Sequence, residues 1–339
     1  MKNFYEGKDI LVTGGCGSIG KELVKQILEF SPRRLRVFDQ NESGLFHLQE
    51  ELAAHNNLRF LVGNLRDKER LRRAVRGADI VFHAAALKHV PLCEYNPYEA
   101  VQTNVIGTQN LIEVCRDEDV ERVIAISTDK AAHPINTMGA TKLLSEKLIL
   151  TGATGKCKTI FSCVRFGNVL NSDGSVIPIF KRQIAKGGPV TITSKEMTRF
   201  FMSMGKAIEL VLKSAILTRG GEIFILPMNA LKITDLAEVI VEELAPKYGY
   251  HPEEIEFKEV GIRPGEKTHE YLVTKEEVKD MVHSDDLIVL YSSLLIEPEV
   301  RKQLIKKKST HNHQHYHSGN IPLLSKDEIK KILKKEKII

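Results

Sequence analysis

The residues best able to do chemistry lie in one segment, 127–142, with the sequence STDKAAHPINTMGATK. Thr128, Asp129 and Lys130 supply a hydroxyl, a carboxyl group and an amine, all of which can move protons on a ligand. They follow the apolar run RVIAIS, so we place them at the carboxyl end of a strand, where open α/β sheets bind ligands. The alternative is that they only cap a helix and form a surface ion pair.

Met138 and Lys142 lie four residues apart in the same segment. On a helix, residues at this spacing share a face, so both side chains are expected to point the same way. Lys142 can donate hydrogen bonds to ligand hydroxyls and supply positive charge, whereas Met138 has no proton to give or take. Proton transfer at this face must therefore use another group or a water molecule.

Residues 9–130 alternate between two hydrophobic periods. Strand-like runs are DILVTG, RLRVFD, LRFLVG, ADIVFHAA and RVIAIST, and helical patterns such as IGKELVKQILEF and VQTNVIGTQNLIEVCRD lie between them. This alternation is typical of right-handed βαβ units. We predict an α/β fold with a Rossmann-type, doubly wound parallel sheet over residues 1–165.

After residue 165 the alternation loosens. Gly, Pro and Ser gather in FGNVLNSDGSVIP, KGGPVTIT and GIRPGEK, which indicate loops between short elements. We predict that residues 166–339 form mainly a smaller, discontinuous α/β lobe that binds substrate, with parts that return to the first domain.

A glycine pattern follows the first strand and opens the first helix in TGGCGSIG. Gly14, Gly17 and Gly20 would permit a tight turn, close approach of a pyrophosphate and close packing of helix on strand. The phosphates would meet backbone N–H groups at the helix start, around Ser18 and Ile19. The pattern predicts a dinucleotide site because a strand precedes it and a helix follows.

Asp39 ends the second predicted strand, nineteen residues after Gly20. A carboxylate there accepts hydrogen bonds from a ribose and repels a 2′-phosphate, and the next residues are Gln40 and Asn41 rather than Arg. NAD is therefore favoured over NADP. The alternative is that Asp39 only caps a helix near residues 43–54.

Two further strand ends complete the predicted cofactor site. Asn64 and Leu65 in GNLRD follow the third strand and are expected along the adenine. Ala84 and Ala85 in HAAA follow the fourth strand, where small side chains leave room for a cofactor.

Bulk properties exclude several classes. Charged residues make up 27% of the 339 residues and the formal net charge is +5, which is ordinary for a globular protein. The five Cys are scattered without a CxxC spacing, which favours a reducing cytoplasm over disulfides or a zinc site. The start MKNFYEGKDILVTGG has no signal-peptide pattern, and no apolar run reaches the roughly 18 residues that span a bilayer. We expect a cytoplasmic protein without a membrane segment.

Two polar stretches near the C-terminus each have two interpretations. The basic runs RKQLIKKKS and KDEIKKILKKEK could contact nucleic acid, but a solvated helix face is favoured, so no nucleic-acid partner is expected. HNHQHYHSGN has four His between 311 and 317, without a flanking acid or Cys to complete a metal site. A polar loop is favoured there, and no metal is expected.

Together these residues resemble the extended short-chain dehydrogenase/reductase superfamily. The resemblance narrows at HAAALKHVPLCEYNP, STDKAAHPINTMGATK, VRFGNVLNSDGSVIP, MTRFFMS and RPGEK. This set is similar to the nucleotide-sugar 4,6-dehydratases of polysaccharide biosynthesis that act on UDP-N-acetylglucosamine. It covers about residues 7–290. Some members carry a membrane-spanning N-terminal half, and this chain resembles the short branch without it.

The resemblance implies three steps without net redox change. The sugar is oxidised at C4, water is eliminated across C5 and C6, and hydride returns to C6. It implies that Thr128 contacts the C4 oxygen, Asp129 protonates the departing C6 hydroxyl, and Lys130 removes the C5 proton. Asp129 would need a raised pKa and Lys130 a lowered one. Lys142 would bind the nicotinamide ribose, and Met138 occupies the position where the superfamily usually has its proton-transferring Tyr.

The resemblance also implies a UDP-sugar substrate and a homo-oligomer. GSVIP (174–178) would border the uracil, and further substrate-binding residues would be Lys88, Asn104, Asn168, Arg199, Arg263 and Glu266. Asn104 could also brace the active-site strand. Arg263 and Glu266 suit a pair that binds a phosphate and a ribose hydroxyl.

Two other functions remain open at this point. A nucleotide-sugar 4-epimerase would return hydride to C4 and needs no C6 acid, so Asp129 and Lys130 count against it. A non-catalytic NAD-binding regulatory protein is suggested only by Met138. The choice of UDP over GDP, the configuration at C5 and the group that replaces the Tyr are also open.

Overall fold

The computed structural model describes residues 1–152, 157–284, 287–292 and 316–339. In chain order the strands of these residues are β1 (Asp9–Thr13), β2 (Arg34–Asp39), β3 (Leu58–Val62), β4 (Ile80–His83), β5 (Arg122–Thr128), β6 (Ile160–Phe166), β7 (Asn168–Val169), β8 (Val190–Ile192), β9 (Thr198–Met202), β10 (Glu222–Ile225), β11 (Ala230–Lys232), β12 (Phe257–Glu259), β13 (Tyr271–Val273), β14 (Met281–Ser284), β15 (Leu287–Tyr291) and β16 (Tyr316–His317). The α-helices are α1 (Lys2–Tyr5), α2 (Ser18–Leu28), α3 (Glu42–Glu51), α4 (Lys68–Val75), α5 (Val90–Tyr95), α6 (Pro97–Ala100), α7 (Gly107–Asp117), α8 (Thr137–Thr151), α9 (Val176–Ile184), α10 (Met204–Leu217), α11 (Ile233–Leu244) and α12 (Lys326–Lys335).

The main sheet has the strand order β14-β15-β10-β6-β5-β4-β1-β2-β3. Strands β3 to β10 of this order are parallel, and β15 and β14 add an antiparallel edge. The chain reverses its direction across the sheet between β1 and β4, so the loops that follow these strands flank a crevice at the carboxyl edge. The predicted doubly wound Rossmann-type fold is confirmed.

Helices pack on both faces of this sheet, and the central strands are apolar for that reason. All five residues of β1 and all four of β4 are buried. The hydrophobic core extends from these strands to α2, α7 and α10. It is therefore one continuous core that supports every strand end at the crevice.

A second apolar cluster forms beyond residue 165. Phe180 of α9, Val190 of β8, Ile240 of α11 and Leu333 of α12 are buried in it. A three-stranded sheet of β7, β9 and β11 lies between this cluster and the main core. Because β10, β14 and β15 belong to the main sheet, the second half of the chain contributes to both parts.

The predicted helix after β4 is interrupted. It begins with Pro97 at the start of α6, continues as a π-helical segment (Val101–Ile106) and becomes regular in α7. The wider π-helical turn carries a buried polar residue, Asn104. Such segments within helices often mark functional sites.

The last helix, α12, is amphipathic. Ile329 and Leu333 are buried, and Lys326 and Lys330 on the other side form ion pairs with glutamates of α11. The first basic run and most of the His-rich stretch lie outside the described residues. Among the described helices, none combines the length and the apolar character needed to cross a bilayer.

A buried charge cluster locks α8 to the main sheet. The guanidinium of Arg165 on β6 donates to Glu146 of α8 at 2.7 and 3.0 Å and to Glu277 at 2.9 Å. Burial opposes the charge of Arg165, but the two carboxylates outweigh it and raise its pKa further. The cluster fixes α8, which carries Met138 and Lys142, against the strand edge.

Replacing Arg165 by Met should leave the buried carboxylate of Glu146 and the partly buried carboxylate of Glu277 without their partner. We expect the free energy of unfolding to fall by about 3–5 kcal/mol, because breaking a buried ion pair strands a desolvated charge. Urea denaturation followed by circular dichroism measures this. Arg182→Met, at an exposed position of α9, is the matched control and should change stability by about 0.5 kcal/mol or less. Equal effects of the two substitutions would contradict the structural role of Arg165.

Candidate active site

The turn after β1 admits only glycine at two positions. Gly14 has φ +71°, and a Cβ there would lie 2.5 Å from the nitrogen of Ala85. A Cβ at Gly20 would lie 2.1 Å from the carbonyl oxygen of Gly14. Gly17 is the N-cap residue of α2, and its N–H donates to that carbonyl at 3.1 Å, which closes the turn. The turn is therefore tight enough for a backbone-bound ligand at the start of α2.

Asp39 faces this turn. Its Oδ2 accepts from the N–H of Cys16 at 2.9 Å and its Oδ1 from the N–H of Asn41 at 2.9 Å. The cap of α3 is Asn41, whose Oδ1 accepts from Gly44 at 3.0 Å, so the alternative that Asp39 caps this helix is wrong. Each carboxylate oxygen keeps acceptor capacity for a ligand hydroxyl.

The ends of β2 and β3 are joined beside Asp39. The amide of Asn64 donates to Oε1 of Gln40 at 2.7 Å, and its Oδ1 accepts from the N–H of Arg66 at 3.0 Å. Leu65 is buried below them. These predicted cofactor residues therefore lie together at one edge.

The end of β4 holds a histidine that the sequence reading passed over. His83 is buried between the hydroxyls of Thr13 at 2.8 Å and Thr108 at 3.1 Å. Burial and the charge of Lys142 lower its pKa to about 3, so it is neutral. The HAAA motif was interpreted from its small residues alone, although a polar residue at a strand end is the signal that could have identified it.

Lys142 and Met138 lie on the predicted helix, α8. The ammonium of Lys142 donates to the carbonyl of Ile126 at 2.6 Å, and burial lowers its pKa. Met138 is buried in a small apolar cluster with Cys93 and Ala100. Lys142 is thus fixed at the end of β5, and Met138 belongs to an apolar wall.

Thr128, Asp129 and Lys130 meet at the end of β5. Oδ1 of the fully buried Asp129 accepts from the hydroxyl of Thr128 at 2.9 Å and from the ammonium of Lys130 at 3.0 Å. Its Oδ2 is also buried and has no hydrogen-bond partner among the described residues. The alternative of a surface ion pair is therefore wrong, and Oδ2 of Asp129 is a buried acceptor without a partner.

A wider charged cluster surrounds this pair. The ammonium of Lys130 lies 3.3 Å from Oδ1 of Asn168 and 3.7 Å from Oε1 of Glu270. Glu270 also pairs with Lys267 at 3.3 Å and approaches Arg199 at 4.0 Å. We call Asp129, Lys130, Arg199, Lys267 and Glu270 the charged cluster.

The pKa values of Asp129 and Lys130 are both raised. Burial raises the pKa of Asp129 and the charge of Glu270 adds to this, while Lys130 opposes it. Burial alone would lower the pKa of Lys130, but Asp129 and Glu270 outweigh it and the pKa is raised. The expectation of a lowered pKa for Lys130 is wrong because Glu270, four residues after Glu266, was not identified from the sequence.

Two predicted substrate residues occupy buried supporting positions. Asn104 exchanges hydrogen bonds with the backbone of Leu87 at 2.8 and 3.0 Å and donates to Thr141 at 3.0 Å, so it braces the loop after β4. The guanidinium of Arg199 donates to three backbone carbonyls of residues 198, 267 and 268. Direct substrate contact by either residue stays a prediction.

The loop before α9 contacts the start of α2 through Asp173, which directly precedes GSVIP (174–178). Ser18 and Asp173 exchange hydrogen bonds at 3.0 and 3.1 Å, and the ammonium of Lys88 donates to the carbonyl of Asp173 at 2.7 Å. Lys88, predicted to bind the sugar or phosphate, is therefore held at the mouth of the cofactor turn.

Arg263 and Glu266 are brought together at 4.0 Å, with Arg263 exposed. Oε2 of Glu266 is buried and, within the part of the chain that the structure describes, makes no hydrogen bond. The amide of Asn136, just before α8, donates to the carbonyl of Gly265 at 2.7 Å. This loop therefore sits against the start of the helix that carries Lys142.

The crevice thus combines the glycine turn, the carboxylate of Asp39, which can accept from ribose hydroxyls, and the buried Asp129 beside the amine of Lys130. Such a set can bind a dinucleotide and transfer protons on a second ligand. Chemistry that pairs redox with acid–base steps is what the geometry permits.

Residues 10–292 match the family model described as "Polysaccharide biosynthesis protein". The chain belongs to this family. A relative in Campylobacter jejuni (strain 81-176), UDP-N-acetylglucosamine 4,6-dehydratase (inverting), is 42% identical over 80% of this chain and 79% of its own length. The resemblance to extended short-chain dehydrogenase/reductases of the nucleotide-sugar dehydratase type is confirmed.

Other relatives of this polysaccharide biosynthesis family carry different descriptions. A Methanocaldococcus jannaschii protein, described as an uncharacterized membrane protein, is 55% identical over 98% of this chain and 97% of its own length. UDP-glucose 4-epimerase of Rickettsia typhi is 37% identical over 91% of this chain and 92% of its own. The chain spans only 46% of Staphylococcus aureus CapD, to which it is 43% identical over 80% of its own length.

Solved structures agree with the fold. The X-ray structure of Pen from Bacillus thuringiensis is 38% identical, covers 99% of both chains and superposes with a TM-score of 0.92. DesIV, a dTDP-glucose 4,6-dehydratase from Streptomyces venezuelae solved with NAD and TYD, has a TM-score of 0.71 over 96% of both chains. Its 22% identity makes it a likeness of fold.

Proposed function

We propose that this protein is a UDP-N-acetylglucosamine 4,6-dehydratase that yields a UDP-4-keto-6-deoxy-N-acetylhexosamine for surface glycan synthesis. The observation that carries the proposal is the buried carboxyl group of Asp129, with Oδ2 unpaired and Oδ1 3.0 Å from the ammonium of Lys130. A buried acid beside an amine is what elimination of water across two carbons requires. The 42% identity to the Campylobacter jejuni dehydratase supports it.

The residues around the glycine turn fit a dinucleotide. Gly14 and Gly20 leave no room for a side chain, and the N–H groups at Ser18 and Ile19 would meet the pyrophosphate. Asp39 would accept the adenosine ribose hydroxyls, which favours NAD over NADP. Bound NAD supplies a hydride acceptor that is regenerated within the same turnover.

The proton steps follow from the Asp129–Lys130 pair. Moving one proton from the ammonium of Lys130 to Asp129 across their hydrogen bond yields a neutral amine and a carboxylic acid without exchange with solvent. Lys130 then accepts the C5 proton as the C5–C6 double bond forms. Asp129 protonates the C6 hydroxyl, which leaves as water, so protons and charge balance over the elimination.

Thr128 would bind the C4 oxygen: its hydroxyl lies at the end of β5 and donates to Asp129 at 2.9 Å, so its oxygen can accept from the C4 hydroxyl. Lys142 would hydrogen-bond the nicotinamide ribose after leaving the carbonyl of Ile126. Met138 would add apolar surface only. Lys88, Asn168, Arg263 and Glu266 are the residues that we assign to the nucleotide sugar.

A UDP-sugar 4-epimerase is the second candidate, and the identity to the Rickettsia typhi epimerase favours it. An epimerase returns hydride to C4 and has no use for an acid at C6. The unpaired Oδ2 of Asp129, which could serve as that acid, therefore weighs against this candidate. A non-catalytic NAD-binding protein would need neither the buried acid nor its amine.

One incubation separates the three functions. UDP-N-acetylglucosamine and NAD in deuterated water, followed by NMR and mass spectrometry, would show loss of one water for a dehydratase. An epimerase would give a product of unchanged mass, and a regulatory protein would bind both compounds without turnover. Deuterium at C5 reports exchange of the C5 proton, and the NMR spectrum of the product reports the configuration at C5.

Asp129→Asn and Lys130→Ala should each abolish the dehydrated product while the protein stays folded. Removal of the acid or the base costs about 10²–10⁴-fold in rate. Product is quantified by mass spectrometry, and folding by circular dichroism. Lys258→Ala, at an exposed position of β12, is the control and should keep full activity. Near-normal turnover in either variant would remove that residue from the mechanism.

Asp39 should determine the choice of cofactor. The protein is expected to bind NAD more tightly than NADP, and Asp39→Ser should narrow this preference because the 2′-phosphate is no longer repelled. Isothermal titration calorimetry with both dinucleotides measures it, with Glu50→Gln on the exposed face of α3 as the control. An unchanged ratio of affinities would count against the assignment of Asp39.

We also propose a homo-oligomer. Leu92, Tyr95, Tyr98 and Leu144 are exposed on α5, α6 and α8, which pack together. Exposed apolar side chains gathered on neighbouring helices are typical of an interface. Light scattering should give a mass above one chain, and Tyr95→Glu should shift it toward the monomer because a charge would be buried. A monomeric native protein would contradict the proposal.

A further inference from the structure

Glu270 is a buried carboxylate for which the proposed reaction has no stated use. It lies just before β13 and is almost fully inaccessible to solvent. One oxygen faces Lys130 at 3.7 Å and Arg199 at 4.0 Å, and the other faces Lys267 at 3.3 Å. Burying a carboxylate costs several kcal/mol unless cations compensate it, so its presence here calls for a reason.

The backbone of Glu270 is fixed from the far side of the fold. Its N–H donates to the hydroxyl of Ser318 at 2.9 Å, and the N–H of Ser318 donates to its carbonyl at 2.9 Å. Ser318 also hydrogen-bonds Thr198 at 2.8 Å. Lys267 donates to the carbonyl of Ala132, two residues after Lys130, at 3.1 Å. The carboxylate is thus held rigidly relative to Lys130.

We propose that Glu270 is a positioning residue for the Asp129–Lys130 pair: its carboxylate, 3.7 Å from the ammonium of Lys130, supplies the negative charge that orients this ammonium and holds protons on the pair. The inference rests on the proposed dehydratase function. Glu270 touches neither sugar nor cofactor in this role. It makes Lys130 a stronger base, because the ammonium formed on accepting the C5 proton already has a counter-charge.

The charged groups around the Asp129–Lys130 pair determine whether Glu270 raises or lowers the pKa values of the pair. Asp129 precedes Lys130 in the same turn, Arg199 approaches from β9, and Lys267 and Glu270 approach from the segment before β13. The neutral amide of Asn168 approaches from β7. Glu270 raises the pKa of both Asp129 and Lys130. Removing its charge should therefore lower both values, which belong to the pair as a unit.

The test is the pH dependence of kcat for Glu270→Gln, which keeps the size of the side chain. A bell-shaped profile should move to lower pH on both limbs, with the maximal kcat reduced about tenfold or more. KM for UDP-N-acetylglucosamine should stay within about threefold, since the substrate residues are unchanged. Glu270→Asp keeps the charge at a greater distance and should shift the profile less, in the same direction. Glu276→Gln, three residues after β13 and exposed, is the control and should leave the profile in place.

A readout without turnover separates this inference from the proposed function. Carbon-13 NMR of selectively labelled aspartate carboxyls, assigned with Asp129→Asn, should show Asp129 titrating at lower pH in Glu270→Gln than in the native protein. If the native protein gives no dehydrated product, the proposed function fails, and this titration still decides the role of Glu270. An Asp129 titration unchanged in both Glu270 variants would overturn the inference. So would a fall in kcat that follows loss of folding without any shift of the profile, since a merely structural residue would behave in that way. If only Glu270→Asp folds, its smaller shift is the deciding result.

Discussion

The site depends on the burial of charge at the end of β5. Asp129 is fully buried, and Lys130 and Glu270 stand beside it in a region from which water is largely excluded. An isolated buried ion would cost several kcal/mol, and only pairing with good hydrogen bonds repays this. Each member of the charged cluster is therefore needed by the others. The same exclusion of water strengthens every electrostatic interaction in the crevice.

Rigid supports keep these charges in place. The Arg165 cluster fixes α8, Asn104 braces the loop after β4, and the glycine turn packs directly on the backbone at Ala85. The Arg165 cluster has no part in the proposed binding, whereas Asn104 and the glycine turn support the crevice and are also candidates for ligand contact. The crevice thus depends on groups that would contact a ligand and on groups that hold them in place.

Local patterns in the sequence were sufficient for the sheet and for the cofactor turn. Gly14 directly follows β1 and Asp39 ends β2, so their position at the ends of these strands already indicates where they lie. Glu270 and Arg165 were not identified, because their roles come from partners more than 100 residues away or on another strand. The predicted lowering of the Lys130 pKa was wrong for the same reason, because the sequence indicated the burial of Lys130 and did not indicate the carboxylate of Glu270 beside it. The π-helical segment has no clear local signal, since it is set by packing around Asn104.

The sequence separation of the contacts in the crevice has a kinetic consequence. Lys267 reaches Ala132 across 135 positions, Asn136 reaches Gly265 across 129, and Thr198 reaches Ser318 across 120. Closing such long loops is slow compared with forming neighbouring βαβ units. During refolding, the main sheet should be assembled before the loop at Gly265 and the segment at Ser318 arrive. The refolding chain can therefore contain its parallel strands before the contacts around the charged cluster are complete.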